Sequence, residues 1–290
     1  MHRSGETAAG RLSRHPVDVG EIRSRVLVLE PHLAAKLAAA RKNLILCNSL
    51  KFQALGFAGQ TIVLDPESSE ASRWLRIGSQ AVVAIFQGAT ATNDDVEVQL
   101  GEGPLVRAPS TVTADLHDVG NWTDGFFMAA ICREQSLLDT LCRVPMALLR
   151  GSATRSLEDS YLFADALQLH WKRQSESRVR ALAALQAAER QDLPAPTVRA
   201  TRELAVPQIR VFLCLLDGEA GRFNESLARA LELHRQFWSH SESVARDPRG
   251  YFSLRLTGLA VLAHDAGMPV TVESDYLPMV LVRGDGRPPA

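Results

Sequence analysis

Cysteine is scarce, with four in 290 residues and no two of them in a Cys-x-x-Cys pair. Cys47, Cys132, Cys142 and Cys214 sit in apolar, helix-like contexts, which reads as reduced core thiols rather than a disulfide frame or a zinc site. Long apolar runs are missing as well. Stretches such as residues 81–86 fall far short of the roughly 20 residues that cross a bilayer as a helix. Neither sign of charge is in surplus: 32 Lys and Arg against 33 Asp and Glu leave a net charge of -1. That balance argues against a nucleic-acid binder, which carries a basic excess, and against a uniformly acidic mimic of DNA. There is no Gly-x-Ser-x-Gly elbow, no phosphate-cradling glycine loop and no His-Glu-x-x-His, so nucleophilic, nucleotide and zincin chemistries find no support. Residues 1–17 hold Arg3, Arg11 and Arg14 among Gly, Ser and Ala, without the apolar stretch of a secretion signal. The expected location is the cytoplasm, with no membrane partner.

What is present is helix-forming sequence. Apolar residues make up 46% and charged residues 22%, the composition of a soluble globular chain with enough apolar surface for one large core or two modest ones. Residues 17–58 predict two helices, with Pro31 marking a break or a first turn. Asp65-Pro66-Glu67 opens a helix over 68–87 whose apolar face includes Trp74, Ile77, Val82 and Ile85. Val96 to Leu100 alternates with period two, and Gly101-Glu102-Gly103 then supplies a turn before Leu105-Val106-Arg107, a hairpin signal. The helical pattern returns from Asp115, and Pro145 kinks or restarts it. Residues 158–174, 176–191, 198–216 and 224–241 follow with helix length and period. Pro207 should bend the third of these. The short joint from Asp217 to Arg222 makes the last two antiparallel neighbours. The fold class expected is mainly α, an array of antiparallel, repeat-like helical hairpins with a small β-hairpin. Residues 1–16 are expected to be a disordered basic tail and 17–285 one helical domain, with 151–156 as a point of subdivision.

The ending is the most specific stretch: an apolar helix through His264-Asp265, a stop at Gly267, and a short alternating strand, Val270-Thr271-Val272, running into Glu273-Ser274-Asp275. An all-helical metal phosphohydrolase of the His-Asp type would need His234 or His240, His264-Asp265 and Asp275 to converge on an ion that generates hydroxide. Against this, His234 falls on an apolar helix face, and a His at a helix C-terminus has cap and dipole roles of its own. A second feature is a charge asymmetry. Between Asp65 and Asp124 stand ten acidic residues and only three basic ones, a pattern that steers a basic partner. Trp122, flanked by Asp118 and Asp124, has the form of an interface anchor or of a core aromatic at a helix start.

The run Gly218-Glu219-Ala220-Gly221-Arg222-Phe223-Asn224-Glu225-Ser226-Leu227-Ala228-Arg229-Ala230-Leu231-Glu232-Leu233-His234, then Trp238, then Asp247-Pro248-Arg249-Gly250 through Glu273-Ser274-Asp275-Tyr276-Leu277-Pro278, resembles the immunity protein 49 family of bacterial polymorphic toxin systems. The resemblance implies a mostly helical protein, encoded beside a toxin gene, that neutralises the toxin by binding it. It implies no catalytic residues, no metal and no cofactor, and a partner that is often a nuclease, including the His-Asn-His class. A basic DNase domain is therefore the expected target, bound without direct contact to nucleic acid. With Leu254, Leu256, Leu259, Leu262, Val270, Val272 and Tyr276 at core spacing, the recognised block reads as scaffold. The expected contact residues are then Asp94, Asp95, Glu97, Asp115, Asp118, Trp122 and Asp124 in the acidic segment, with Glu273 and Asp275 near the end. The phosphohydrolase remains the alternative, and a helical-repeat adaptor unrelated to toxins the third reading.

Overall fold

A computed structural model describes residues 11–190 and 194–285. The protein is mainly α, with one two-stranded hairpin. The first layer is made of α1 (Val19–Ala40), α2 (Leu46–Leu64) and α3 (Ser69–Thr90), each packed on the next. Pro31 does not end α1 but lies inside it. Its ring falls on an exposed face of the helix, where the missing N–H costs one hydrogen bond without a buried polar group being stranded. Ser68 caps α3 by accepting from the Glu70 N–H at 3.2 Å. The face predicted for that helix, Trp74, Ile77, Val82 and Ile85, is buried.

Strands β1 (Asp95–Val98) and β2 (Val106–Pro109) pair antiparallel with Val98 opposite Val106. The alternation turns Val98 and Ala108 inward and Asp95 and Glu97 outward, as period two requires. Helix α4 (Val119–Cys132) then crosses the centre, packed on α3 on one side and on α13 (Leu254–Asp265) on another. Its Trp122, Phe126 and Phe127 are fully buried, each contributing on the order of 1.5–3 kcal/mol. Two glycines let it approach so closely. A Cβ on Gly125 would stand 2.5 Å from Val82, and one on Gly258 of α13 would overlap the ring of Phe127.

The chain continues through α5 (Gln135–Arg143) and α6 (Met146–Gly151) to α7 (Glu158–Trp171) and α8 (Ser177–Ala188), then α9 (Ala195–Ala200), α10 (Val206–Asp217) and α11 (Ala220–Trp238). The single helix expected over 198–216 is three pieces. A π-helical turn, Thr201–Ala205, joins α9 to α10, and the Val206 N–H donates to Thr201 five residues back. Pro207 supplies the reason: it has no N–H to give and its ring crowds the carbonyl four residues earlier, so the chain widens by one residue there. Gly218, at φ +71°, closes α10, and α10 packs on α11 as an antiparallel pair with Val211, Phe212, Phe223, Leu227 and Leu231 between them and the core.

After α12 (Glu242–Ala245) and a 3-10 turn, Pro248–Gly250, come α13 and α14 (Met279–Arg283). The strand expected at 270–273 does not form. Isolated bridges follow it instead, Leu12 with Ser274 and Ser274 with Leu277. The first ten residues of the expected disordered tail lie outside the described residues, but 11–15 do not fit that expectation. Leu12 exchanges backbone hydrogen bonds with Glu273 and Asp275, and the buried His15 bonds the Tyr276 hydroxyl through both its backbone N–H (2.8 Å) and Nδ1 (2.7 Å). Among the described residues no helix is long and apolar enough to cross a membrane.

Candidate functional site

The acidic segment divides into an outer and an inner set. Asp94, Asp95 and Glu97 are exposed on the hairpin, and Asp115 is exposed on the loop before α4. Asp95 pairs with Arg107 across the strands at 3.1 Å. Glu102, in the hairpin loop, pairs with Arg76 at 3.1 Å and Arg73 at 3.4 Å. Asp94, Glu97 and Asp115 have no salt bridge among the described residues, and a hydrogen bond from the Thr113 side chain draws the Asp115 carboxyl below its ordinary pKa. These carboxylates face outward in fixed positions, a field that acts on an approaching charge.

The inner set is drawn into the fold: Asp118 and Trp122 are buried, which corrects the reading of those two as open contact residues, while Asp124 is half-buried. Asp118 is the buried N-cap of α4 and accepts from the Gly120 and Asn121 N–H groups at 2.7 and 3.0 Å. Trp122 is wholly enclosed, its Nε1 donating to the Leu141 carbonyl at 2.8 Å and its ring stacked on Phe126 at 5.3 Å. Asp124 accepts from Lys51 at 3.1 Å and from Arg255 at 3.4 Å. Burial would raise its pKa, but the two cations outweigh that and hold it below the usual carboxylate range. The polar string around Trp122 reads as a loop, yet the α4 period carries Trp122 and Phe126 to one buried face.

Near the end of the chain, Glu273 is exposed while Asp275 is bound within the molecule. Asp275 accepts from Arg11 at 2.8 Å and from the Arg14 N–H at 3.0 Å. Desolvation would raise it, but the Arg14 N–H and Arg11 keep the carboxyl below its ordinary pKa. Both line a groove of about 650 Å3 beside Arg11 and Arg14. The groups a His-Asp metal centre would use are committed separately. His234 is buried with Nε2 3.2 Å from the Gly250 carbonyl, and burial pushes its pKa down to about 3. The Nδ1 of His240 lies 2.6 Å from the Phe237 carbonyl. His264 stands 3.4 Å from Asp265, whose carboxylate is held by Arg133 at 2.9 Å. Among the described residues no three His, Cys, Asp or Glu side chains are grouped so as to hold a metal ion. Burial pushes the Cys47, Cys132 and Cys142 thiols up to about 12, so these are inert thiols rather than nucleophiles.

One site that sequence reasoning missed lies where helices distant in sequence come together. A cleft of about 440 Å3 is walled by α2, α4, the start of α7, the π-helical turn, α10, α11 and the start of α13. Behind Asp124, Lys51 is 1% exposed, its amine 3.4 Å from the centre of the Phe52 ring. Arg255 bridges from Asp124 to Gln208, at 3.4 Å to each. Asp159, on the first turn of α7, is 3% exposed. Desolvation raises its pKa against the backbone N–H groups of its own turn, and its Oδ1 has no hydrogen-bond partner. A signal did exist in Lys51, a charge set at core spacing within apolar α2, but its partner lies 73 residues along the chain.

A family model described as Immunity protein 49 matches residues 65–281, more than half of the chain. No curated protein matches, and no solved structure does.

Proposed function

The chain belongs to the immunity protein 49 family, and from that premise we propose that it neutralises a cognate toxin by stoichiometric binding, the toxin being a basic nuclease domain encoded beside it. The family supports an immunity role and with it the binding of a toxin; the nuclease target, the one-to-one inhibition and the cytoplasmic site of action are this proposal's own. The observation that carries it is the outer acidic set: Asp94, Glu97 and Asp115 project from a hairpin and its neighbouring loop without a salt bridge. A nuclease must be basic to hold phosphate, so such a surface attracts it and orients it during encounter. Residues 17–285 act in this reading as one binding unit. The contact area expected is roughly 800 Å2 per partner, large enough to cover or distort a nuclease active site.

Reversal of Asp94, Glu97 and Asp115 to Lys tests this with the protein product of the adjacent gene. Association should slow by about tenfold or more at low salt and lose most of its salt dependence, with dissociation less affected. An association rate and a salt slope equal to those of the unaltered protein would exclude the hairpin as the steering surface. Catalytic assays of that gene product, with and without this protein, decide whether the target is a nuclease.

A further inference from the structure

The cleft of about 440 Å3 between α2, α7, the π-helical turn and α13 is a built polar site with one valence left open. Each cation on its wall has a carboxylate: Arg255 pairs with Asp124, as does Lys51 behind it, and Arg249 holds Asp247 at 2.5 Å. His234 is neutral by burial. Asp159 alone among the charged wall residues has no ion pair, and its Oδ1 is without a donor. An anion entering here would compete with Asp124 and Asp247 for cations already paired. A donor carrying positive charge would meet an acceptor that nothing fills, where burial makes a charge-assisted hydrogen bond strong. The π-helical turn Thr201–Ala205 forms one lip, and such turns gather at functional sites. On the other side the cleft shares Phe52 and Arg249 with an apolar hollow that also contains Leu29 and Pro248. Polar pocket and apolar shelf adjoin, the arrangement in which an interface places its anchor.

We infer that this cleft seats a lysine or arginine side chain of the partner protein, with the Asp159 carboxylate as its counter-ion. The inference rests on the reading of the chain as a toxin-binding protein and names a second contact, apart from the acidic hairpin. The hairpin governs the encounter, and the cleft holds what has arrived.

The test needs no toxin. N-acetyl-arginine amide is titrated into the full chain by calorimetry, alongside N-acetyl-citrulline amide, which keeps the shape and lacks the charge, and N-acetyl-glutamate. The arginine derivative is expected to saturate one site, to bind at least tenfold tighter than citrulline, and to leave the glutamate derivative unbound. Asp159→Asn, which removes the charge, and Ala200→Phe, which fills the space, should each weaken it tenfold or more while circular dichroism stays unchanged. The variants fail in different ways, so a folding defect in one leaves the other to decide. Equal binding of citrulline, preference for glutamate, or undiminished arginine binding by either folded variant overturns the assignment. Since only this protein and small probes are present, that failure is separate from failure of the toxin reading, which binding of the adjacent gene's protein product decides.

Discussion

Lys51 shows most directly what a single residue does in this protein. It rises from the middle of α2 to reach Asp124 at 3.1 Å, and its side chain is 1% exposed. A charge so placed must be desolvated, which is tolerable only because a carboxylate meets it. Lys51→Met should therefore lower stability by about 3–5 kcal/mol, since Asp124 is then buried with Arg255 alone at 3.4 Å. The double variant Lys51→Met, Asp124→Leu should lose less than the single one, because it leaves no uncompensated charge. Urea denaturation measures both, and a double variant that is less stable than Lys51→Met would contradict this account. The same residue marks a limit of sequence reading. That Lys51 sits at a core position is visible in the sequence; that its partner is Asp124, among residues that look like a surface loop, is not.

At the level of elements, the position of α4 between α3 and α13 depends on contacts too close for a side chain. Gly125 meets Val82, and Gly258 meets the ring of Phe127. Gly125→Ala and Gly258→Ala should each destabilise by about 1–3 kcal/mol through overpacking. Gly221, in the first turn of α11, has nothing within 4 Å of where a Cβ would be, so Gly221→Ala should stabilise by about 0.5–1 kcal/mol. Thermal melts of the three variants check this, and the decisive result is the opposite sign at Gly221. Helix existence followed well from periodicity: the expected face of α3 is the buried one. Breaks did not. Pro31 and Pro207 carry the same local chemistry, yet one rests inside a helix on its exposed side and the other forces a π-helical turn, because the difference lies in what packs around each.

For the whole molecule, pH dependence follows from its buried histidines. The pKa of His234 is down to about 3, and those of His15 and His170 are also lowered, each chiefly by burial. A histidine whose folded pKa is depressed binds its proton in the unfolded chain first, so stability falls as pH drops below about 6.5. For His234 the slope approaches ~1.4 kcal/mol per pH unit, continuing toward pH 3. Asp124 and Asp275, with lowered pKa values, add to the loss in stronger acid, while Asp118 and Asp159, with raised ones, oppose it as pH falls from their raised folded values to the ordinary carboxylate value. Between pH 6.5 and about 4.5 the histidines act to lower stability. His234→Gln should flatten the stability profile in that window, as measured by urea midpoints at half-unit steps. An unaltered slope would mean that His234 is not the group titrating.

The sequence by itself determined the class of secondary structure, the hairpin, the antiparallel α10 and α11 pair and, through residues 218–278, the family. Those are written in short-range periodicity and in residue order, which survive without coordinates. Tertiary structure alone decided which acids face outward. Asp115 and Asp118 are three positions apart and read alike, but one is exposed while the other caps a buried helix. It also decided that Asp275 holds Arg11 and Arg14, and that Asp124, Asp159 and Arg255 line one cleft with Lys51 behind Asp124. Charges along a chain reveal composition, whereas the direction each one faces is fixed by packing between segments far apart in sequence.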